Sequence, residues 1–181
     1  MWPSEIRVEH LLFRGTKRPR TLDLIVCHGD AHARIDGWEG AHTMDIDARA
    51  KPSFVHDIST GFKSDAFNHA YDRVMLKHCN AHAFFHNIPK DDFKEGEQMV
   101  LQPNPAAWRN VSMLLKPGGT LTIYYLDEMY GMYDERADYQ SLCDVINAAC
   151  DTEFVDLVVD GDEFVIWQKE CADDATCYSP S

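Results

Sequence analysis

Small and acidic residues stand where three apolar runs end in the first third of the chain. Gly29 follows the run Leu22–Val26, and Asp45 and Asp57 end the next two runs. Because the carboxyl ends of neighbouring parallel strands lie side by side in an open α/β sheet, we expect Gly29, Asp45 and Asp57 to meet at one crevice. A carboxylate there has two oxygens that accept hydrogen bonds from a ligand. The spacing therefore predicts a ligand site at this edge of the sheet.

Histidines recur at four-residue intervals, which is also a spacing of metal ligands on a helix. The two sets are His28 with His32, and His78 with His82 and His86. No cysteine or acid completes a recognisable ligand set, and the run Asn87-Ile88-Pro89 ends any helix soon after His86. We therefore assign no metal site, and a metal-dependent enzyme built on this stripe stays as an alternative.

The elements that would position these residues alternate between strand and helix. Apolar, β-rich runs predict strands over Thr21–Cys27, Ala41–Ile46, Phe54–Asp57, Tyr71–Leu76 and Thr120–Leu126. Asn104 as cap and Pro105 in the first turn predict the start of a helix that ends at the sequence Lys116-Pro117-Gly118-Gly119.

The C-terminal third adds a helix and a hairpin. We expect a helix over Ala137–Cys150, with Leu142, Val145, Ile146 and Ala149 facing inward. The runs Phe154–Val159 and Glu163–Trp167 flank Asp160-Gly161-Asp162, which predicts an antiparallel hairpin. Trp108 and Trp167 are expected in the core. The pattern predicts a lead-in over 1–20, one α/β domain over 21–170 and a loose tail over 171–181.

The composition of the chain indicates which type of partner and which cellular compartment to expect. The formal net charge of −13 disfavours a nucleic-acid surface, because phosphate binding depends on Lys and Arg. The run Arg18-Pro19-Arg20 with Lys17 is interpreted as a solvated lead-in. Cys27, Cys79, Cys143 and Cys150 lie in apolar patterns typical of reduced thiols. With no apolar leader and no membrane span, we expect a soluble, cytoplasmic protein in a reducing compartment.

Three blocks resemble class I S-adenosylmethionine-dependent methyltransferases, and specifically a compact subgroup associated with polysaccharide biosynthesis. They are Leu115-Lys116-Pro117-Gly118-Gly119 before a strand, Tyr71-Asp72-Arg73-Val74 leading to His78 and His82, and Gly37-Trp38 followed by Met44–Asp47 and Val55–Asp57. The resemblance covers most of the chain. It implies a three-layer, Rossmann-like, doubly wound fold whose seven-stranded sheet is mostly parallel and ends in an antiparallel hairpin.

The resemblance also implies roles for the strand-end residues. The methionyl end of S-adenosylmethionine would lie against Cys27, His28 and Gly29 and near His78, with S-adenosylhomocysteine as the product. Asp45, with Ile46 beside it, would accept hydrogen bonds from the ribose hydroxyls, and Asp57 with Ile58 would border the adenine. The subgroup implies O-methylation of a sugar hydroxyl in a glycan. A base for that hydroxyl would be His82, His78 or Asp127.

The first loop departs from the family pattern at one position. Where the family has Gly-x-Gly, this chain has Cys27-His28-Gly29, which places a side chain where the cofactor approaches the backbone. A non-catalytic binding or scaffold protein of the same fold is therefore the alternative to an active methyltransferase.

Overall fold

The structure, a computed structural model, describes residues 21–29, 35–86, 102–124, 136–157 and 164–171. The strands are β1 (Asp23–Val26), β2 (His42–Asp45), β3 (Phe54–Val55), β4 (Tyr71–Lys77), β5 (Phe85–His86), β6 (Gln102–Pro103), β7 (Leu115–Tyr124), β8 (Phe154–Leu157) and β9 (Phe164–Lys169). The helices are α1 (Ala81–Phe84), α2 (Pro105–Leu114) and α3 (Arg136–Cys150). Short 3-10 turns cover Ala48–Ala50 and Asp65–Phe67.

Within the described residues a seven-stranded sheet has the order β3-β2-β1-β4-β7-β9-β8. The strands from β3 to β7 pair in parallel, and β9 and β8 add to the sheet antiparallel. The order reverses between β1 and β4, which is the topological switch point of a doubly wound sheet. The predicted Rossmann-like fold and its antiparallel strand pair are confirmed.

The core lies along the central strands and the inner faces of α2 and α3. Leu24, Ile25 and Val26 are all buried, as expected for a parallel strand covered on both faces. Trp108 and Trp167 are fully buried, and the Trp108 indole N–H donates to the Phe84 carbonyl at 3.0 Å. Both tryptophans are core residues, as predicted.

The start of α2 follows the predicted capping chemistry. The Asn104 side chain accepts from the Ala106 N–H at 3.2 Å, and Pro105 is the first helical residue. Arg109 of this helix donates through Nε to the Cys150 carbonyl at 2.7 Å, which connects α2 to the end of α3. The capping pattern therefore located this helix correctly.

The Lys116-Pro117-Gly118-Gly119 segment was predicted to end the helix, with the strand beginning at Thr120, and this strand boundary is wrong. Strand β7 already begins at Leu115, and its register against β4 shifts between Tyr71 and Arg73. A Cβ on Gly119 would lie 2.9 Å from the Asp72 carbonyl oxygen, so glycine permits the close approach. Lys116 Nζ also donates to the Asp72 carboxylate at 2.8 Å. The block therefore fixes the irregular start of the β4–β7 pairing.

The predicted inner face of α3 needs a correction. Val145 is 46% exposed and Ala149 is exposed, whereas Cys143 and Cys150 are buried with Leu142 and Ile146. Asn147 is held at the start of β8, because its side chain donates to the Phe154 carbonyl at 2.8 Å and accepts from the Phe154 N–H at 2.9 Å. These bonds set the rotation of the helix and turn both cysteines inward.

Several predictions concern residues outside the described ranges. They are the lead-in over 1–20, Asp127 after the predicted fifth strand, the Asp160-Gly161-Asp162 turn and the part of the predicted tail beyond Cys171. Among the described helices, none has the length and apolar character needed to cross a membrane.

Candidate functional site

A cavity of about 1060 Å³ opens at the carboxyl ends of β1, β2 and β4. Its lining includes the described residues that the sequence predicted for the site, namely Cys27, His28, Gly29, Asp45, Ile46, Asp57, Ile58, His78 and His82. Asp127 lies outside the described residues. The cavity lies at the switch point between β1 and β4, where ligands of such sheets bind. The predicted convergence of the strand ends is therefore present.

The loop after β1 is held to the end of β2 through Asp45. One carboxylate oxygen, Oδ2, accepts from the Gly29 N–H at 2.8 Å, and Oδ1 accepts from the Asp47 N–H at 2.9 Å. Gly29 has φ +65, a left-handed conformation that glycine adopts without steric cost. Each carboxylate oxygen has a second lone pair, so Asp45 is oriented by the backbone and retains acceptor capacity.

Asp57 stabilises the turn that follows β3. Its Oδ1 accepts from both the N–H and the hydroxyl of Ser59, at 2.9 and 2.7 Å. From α2, the Asn110 side chain donates to the carbonyls of Ile58 and Thr60 at 2.8 and 2.7 Å. Asp57 is thus a turn acid whose position on the cavity wall is fixed by the second helix.

The two aliphatic residues predicted beside these acids differ in exposure. Ile58 is only 4% exposed and belongs to the core cluster, whereas Ile46 is 69% exposed on the cavity wall. An exposed aliphatic side chain bordering a cavity is available to pack on a flat ligand ring. On exposure alone, Ile46 fits that contact better than Ile58.

The prediction that Cys27 and Cys79 are reduced thiols is wrong, because they form a disulfide with a Cα–Cα distance of 5.1 Å. Val26 and Leu76 are paired on adjacent parallel strands, so the residues just beyond these strands come close together. Cys171 is disulfide-bonded as well, while Cys143 and Cys150 are free and buried. Sequence reasoning missed the Cys27–Cys79 bond because the two cysteines are 52 residues apart.

The disulfide connects two loops with unusual backbone conformations. Cys27 has φ 57 and His78 has φ 48, in the left-handed region that side chains other than glycine rarely adopt. Cys27 therefore has a backbone conformation that glycine adopts at lower cost, and its side chain is directed into the crosslink.

Two of the three predicted base candidates, His78 and His82, are described, and both are exposed and line the cavity. The His78 ring meets the Tyr124 ring edge to face, with centroids 5.6 Å apart. His82 lies near the start of α1, where its backbone N–H donates to the Asn80 side chain at 2.9 Å. Both rings can therefore reach a molecule held in the cavity.

His78, His82 and His86 do not form the helical stripe on which a metal site would depend. Helix α1 covers only Ala81–Phe84, so His78 precedes it and His86 lies on β5. Within the part of the chain that the structure describes, no group of three or more His, Cys, Asp or Glu side chains is arranged to hold a metal ion.

Lys77 is a cavity residue that sequence reasoning missed. It is the last residue of β4, it is only 7% exposed, and its Nζ donates to the His28 carbonyl at 3.2 Å. The signal in the sequence was a lysine directly after the apolar run Val74-Met75-Leu76, at a position where a buried strand residue is expected. The cavity therefore contains a buried cation between the loops that follow β1 and β4.

Neither the search of protein-family models nor the search of curated proteins finds a match. Solved structures do match. The antibiotic-resistance methyltransferase Kmr is 14% identical with TM-score 0.52, and the alignment covers 93% of this chain and 94% of Kmr. The aminoglycoside resistance methyltransferase NpmB1 is 13% identical with TM-score 0.52, covering 90% and 91%.

A third match is the 16S rRNA (adenine(1408)-N(1))-methyltransferase W203A mutant from Catenulisporales acidiphilia, solved with the cosubstrate SAM. It is 10% identical with TM-score 0.51, and the alignment covers 96% of this chain and 94% of that one. At these identities the likeness concerns the fold and not the substrate. The chain therefore has the Rossmann-like fold of the S-adenosylmethionine-dependent methyltransferases.

Proposed function

We propose that this protein is an S-adenosylmethionine-dependent methyltransferase that methylates a sugar hydroxyl of a glycan. The observation that carries the proposal is the cavity at the switch point of a methyltransferase fold, with Gly29, Asp45 and Asp57 on its wall. These are the residues for which the family resemblance implies cofactor contacts, and they come from three separate strand ends.

The residues present fit an adenosyl cofactor. Asp45 has both carboxylate oxygens oriented by backbone N–H groups, so it can accept from a pair of ribose hydroxyls with little reorganisation. Asp57 uses Oδ1 for the Ser59 turn, which leaves Oδ2 to accept from the exocyclic amine of adenine. Ile46 offers an exposed aliphatic surface beside them for the ring.

When bound, S-adenosylmethionine would supply a methyl group on a positively charged sulfur. The acceptor oxygen would bond to the methyl carbon, and the sulfur would leave in line as the neutral thioether of S-adenosylhomocysteine. The chain's task is to align the acceptor, and such alignment supplies on the order of 7–11 kcal/mol at best. A sugar hydroxyl must also lose its proton, and His82 or His78 on the cavity wall can accept it. Asp127 is the third candidate for this base.

The choice of acceptor rests on charge and on the subgroup resemblance. A net charge of −13 disfavours a polyanionic acceptor and suits a neutral one. One similar structure is a 16S rRNA methyltransferase, so the same fold also serves an RNA acceptor. RNA is therefore the acceptor against which a carbohydrate has to be tested.

The test is transfer of a labelled methyl group from S-adenosylmethionine to a panel of carbohydrates, with a short ribosomal RNA fragment in parallel. Label in a carbohydrate is the expected result. His82→Asn or His78→Asn should then lower kcat by roughly 100-fold or more if that residue is the base. Label in the RNA alone would contradict the proposed acceptor while leaving the methyltransferase activity standing.

One observation favours a second candidate, a non-catalytic binding protein of the same fold. The Cys27–Cys79 disulfide occupies the position where the family has a glycine next to the cofactor. If this candidate is correct, Cys27→Gly should create or sharply improve binding of S-adenosylhomocysteine. Tight binding by the wild-type protein would exclude it.

A further inference from the structure

The Lys77 ammonium is buried in the cavity wall without a charged partner in the described residues. The ion pairs found there are Arg49 with Asp47, Arg73 with Asp23, and Lys116 with Asp72. Lys77 takes part in none of them, and its one hydrogen bond goes to the neutral His28 carbonyl. A lysine has three N–H donors, so two of them stay available to a molecule in the cavity.

An uncompensated buried charge is costly, and replacing it with an apolar residue of the same size is often neutral or stabilising. The packing around Lys77 therefore gives no reason for an ammonium at this position. A ligand with negative charge does give a reason, because it would pair with the buried ammonium through a charge-assisted hydrogen bond.

The position of the ammonium indicates which part of a ligand it would meet. Lys77 Nζ donates to the carbonyl of His28, the middle residue of the Cys27–Gly29 loop. Lys77 ends β4, which is three strands away from β3 in the spatial order of the sheet. The acids Asp45 and Asp57 lie at β2 and β3, so the cavity has its carboxylates toward one edge and its cation at the centre of the sheet.

We propose that Lys77 binds the carboxylate that S-adenosylmethionine carries at its methionyl end. This inference rests on the proposed function and adds a residue to its site. The amino group and the sulfonium of the same molecule are cations, which Lys77 repels, so the ammonium also fixes the direction in which the methionyl part lies. The ribose and the adenine would then lie in the half of the cavity that contains Asp45 and Asp57.

The experiment compares two ligands that differ in one group, S-adenosylmethionine and decarboxylated S-adenosylmethionine. Calorimetry measures both affinities for the wild type and for Lys77→Met, which keeps the length of the side chain and removes the charge. Lys51→Met is the matched control, because it makes the same change in net charge at an exposed residue that does not line the cavity. Thermal unfolding confirms that each variant is folded, and Lys77→Gln replaces the methionine variant if that one is not.

The proposal predicts that Lys77→Met weakens binding of S-adenosylmethionine by roughly 10- to 100-fold, the range for a hydrogen bond to a charged group. Affinity for the decarboxylated ligand should stay the same or rise slightly, and Lys51→Met should behave as wild type. A ratio of the two affinities that is the same in Lys77→Met as in the wild type would overturn the proposal. An equal loss for both ligands is such a result, because Lys77 would then act only on the loop through His28. If the wild type binds neither ligand, the proposed function itself fails, and the inference with it.

Discussion

Removal of the Cys27–Cys79 disulfide should lower the free energy of unfolding by about 4 kcal/mol. The bond closes a loop across a sequence separation of 52 residues. For a loop of that length, the loss of closure entropy in the unfolded chain corresponds to about 4 kcal/mol at 25 °C. In a protein of this size, that change lowers Tm by about 8–16 °C.

The assay is thermal unfolding with and without a dithiol, for the wild type and for the Cys27→Ala/Cys79→Ala double variant. Because Cys171 is also disulfide-bonded, a dithiol acts on the double variant too, and that shift measures the contribution of the other bond. The difference between the two dithiol-induced shifts isolates the Cys27–Cys79 bond. It should equal the difference in Tm between the untreated proteins.

A second comparison separates the crosslink from the backbone strain. Cys27 has φ 57, which costs a residue with a side chain about 1–2 kcal/mol relative to glycine. The Cys27→Gly/Cys79→Ala variant should therefore recover about that amount over the double alanine variant. If the dithiol shifts the Tm of the wild type and of the double alanine variant equally, the bond between Cys27 and Cys79 does not exist and this reasoning is refuted.

Three further predictions concern the site and its supports. Asp45→Asn should weaken binding of S-adenosylhomocysteine by roughly 10- to 100-fold in calorimetry, whereas Asp47→Asn, whose carboxylate pairs with the exposed Arg49 outside the cavity wall, should leave it unchanged. Lys169→Met should lower the free energy of unfolding by about 1–3 kcal/mol in denaturant titrations, because Lys169 Nζ donates to the Ser112 and Leu115 carbonyls at the end of α2. An unchanged free energy of unfolding would contradict this role. Burial lowers the pKa of His42 below 6.5, so the contribution of its neutral ring to stability is fully present above pH 6.5 and is lost as pH falls through the lowered pKa. The His42→Gln variant should therefore lose less free energy of unfolding than the wild type between pH 7 and 5. An equal dependence of the unfolding free energy on pH in both proteins would contradict the assignment.

The elements that sequence predicted well are those whose signals are local. Asn104 and Pro105 define a helix start by capping chemistry within a few residues. The aliphatic run at β1 predicts a strand buried on both faces, and the small or acidic residues after each strand located the cavity. In each case the physical cause is contained in a short stretch of chain.

The features that sequence missed depend on contacts between distant parts of the chain. The Cys27–Cys79 bond forms because β1 and β4 are neighbours, which no local pattern shows. Strand β7 begins before the predicted boundary at Thr120, and Gly119 in this early part permits the close approach of the Asp72 carbonyl. The rotation of α3 is set by the bonds between Asn147 and Phe154, so the buried face contains Cys143 instead of Val145.

The measurement that tests the central claim most directly is a calorimetric titration of the wild-type protein, with its disulfides intact, with S-adenosylhomocysteine. The cavity and the orientation of Asp45 predict saturable binding of one molecule per chain, with the ligand displaced by S-adenosylmethionine. Absence of binding heat at millimolar ligand would contradict the claim that this cavity is a cofactor site.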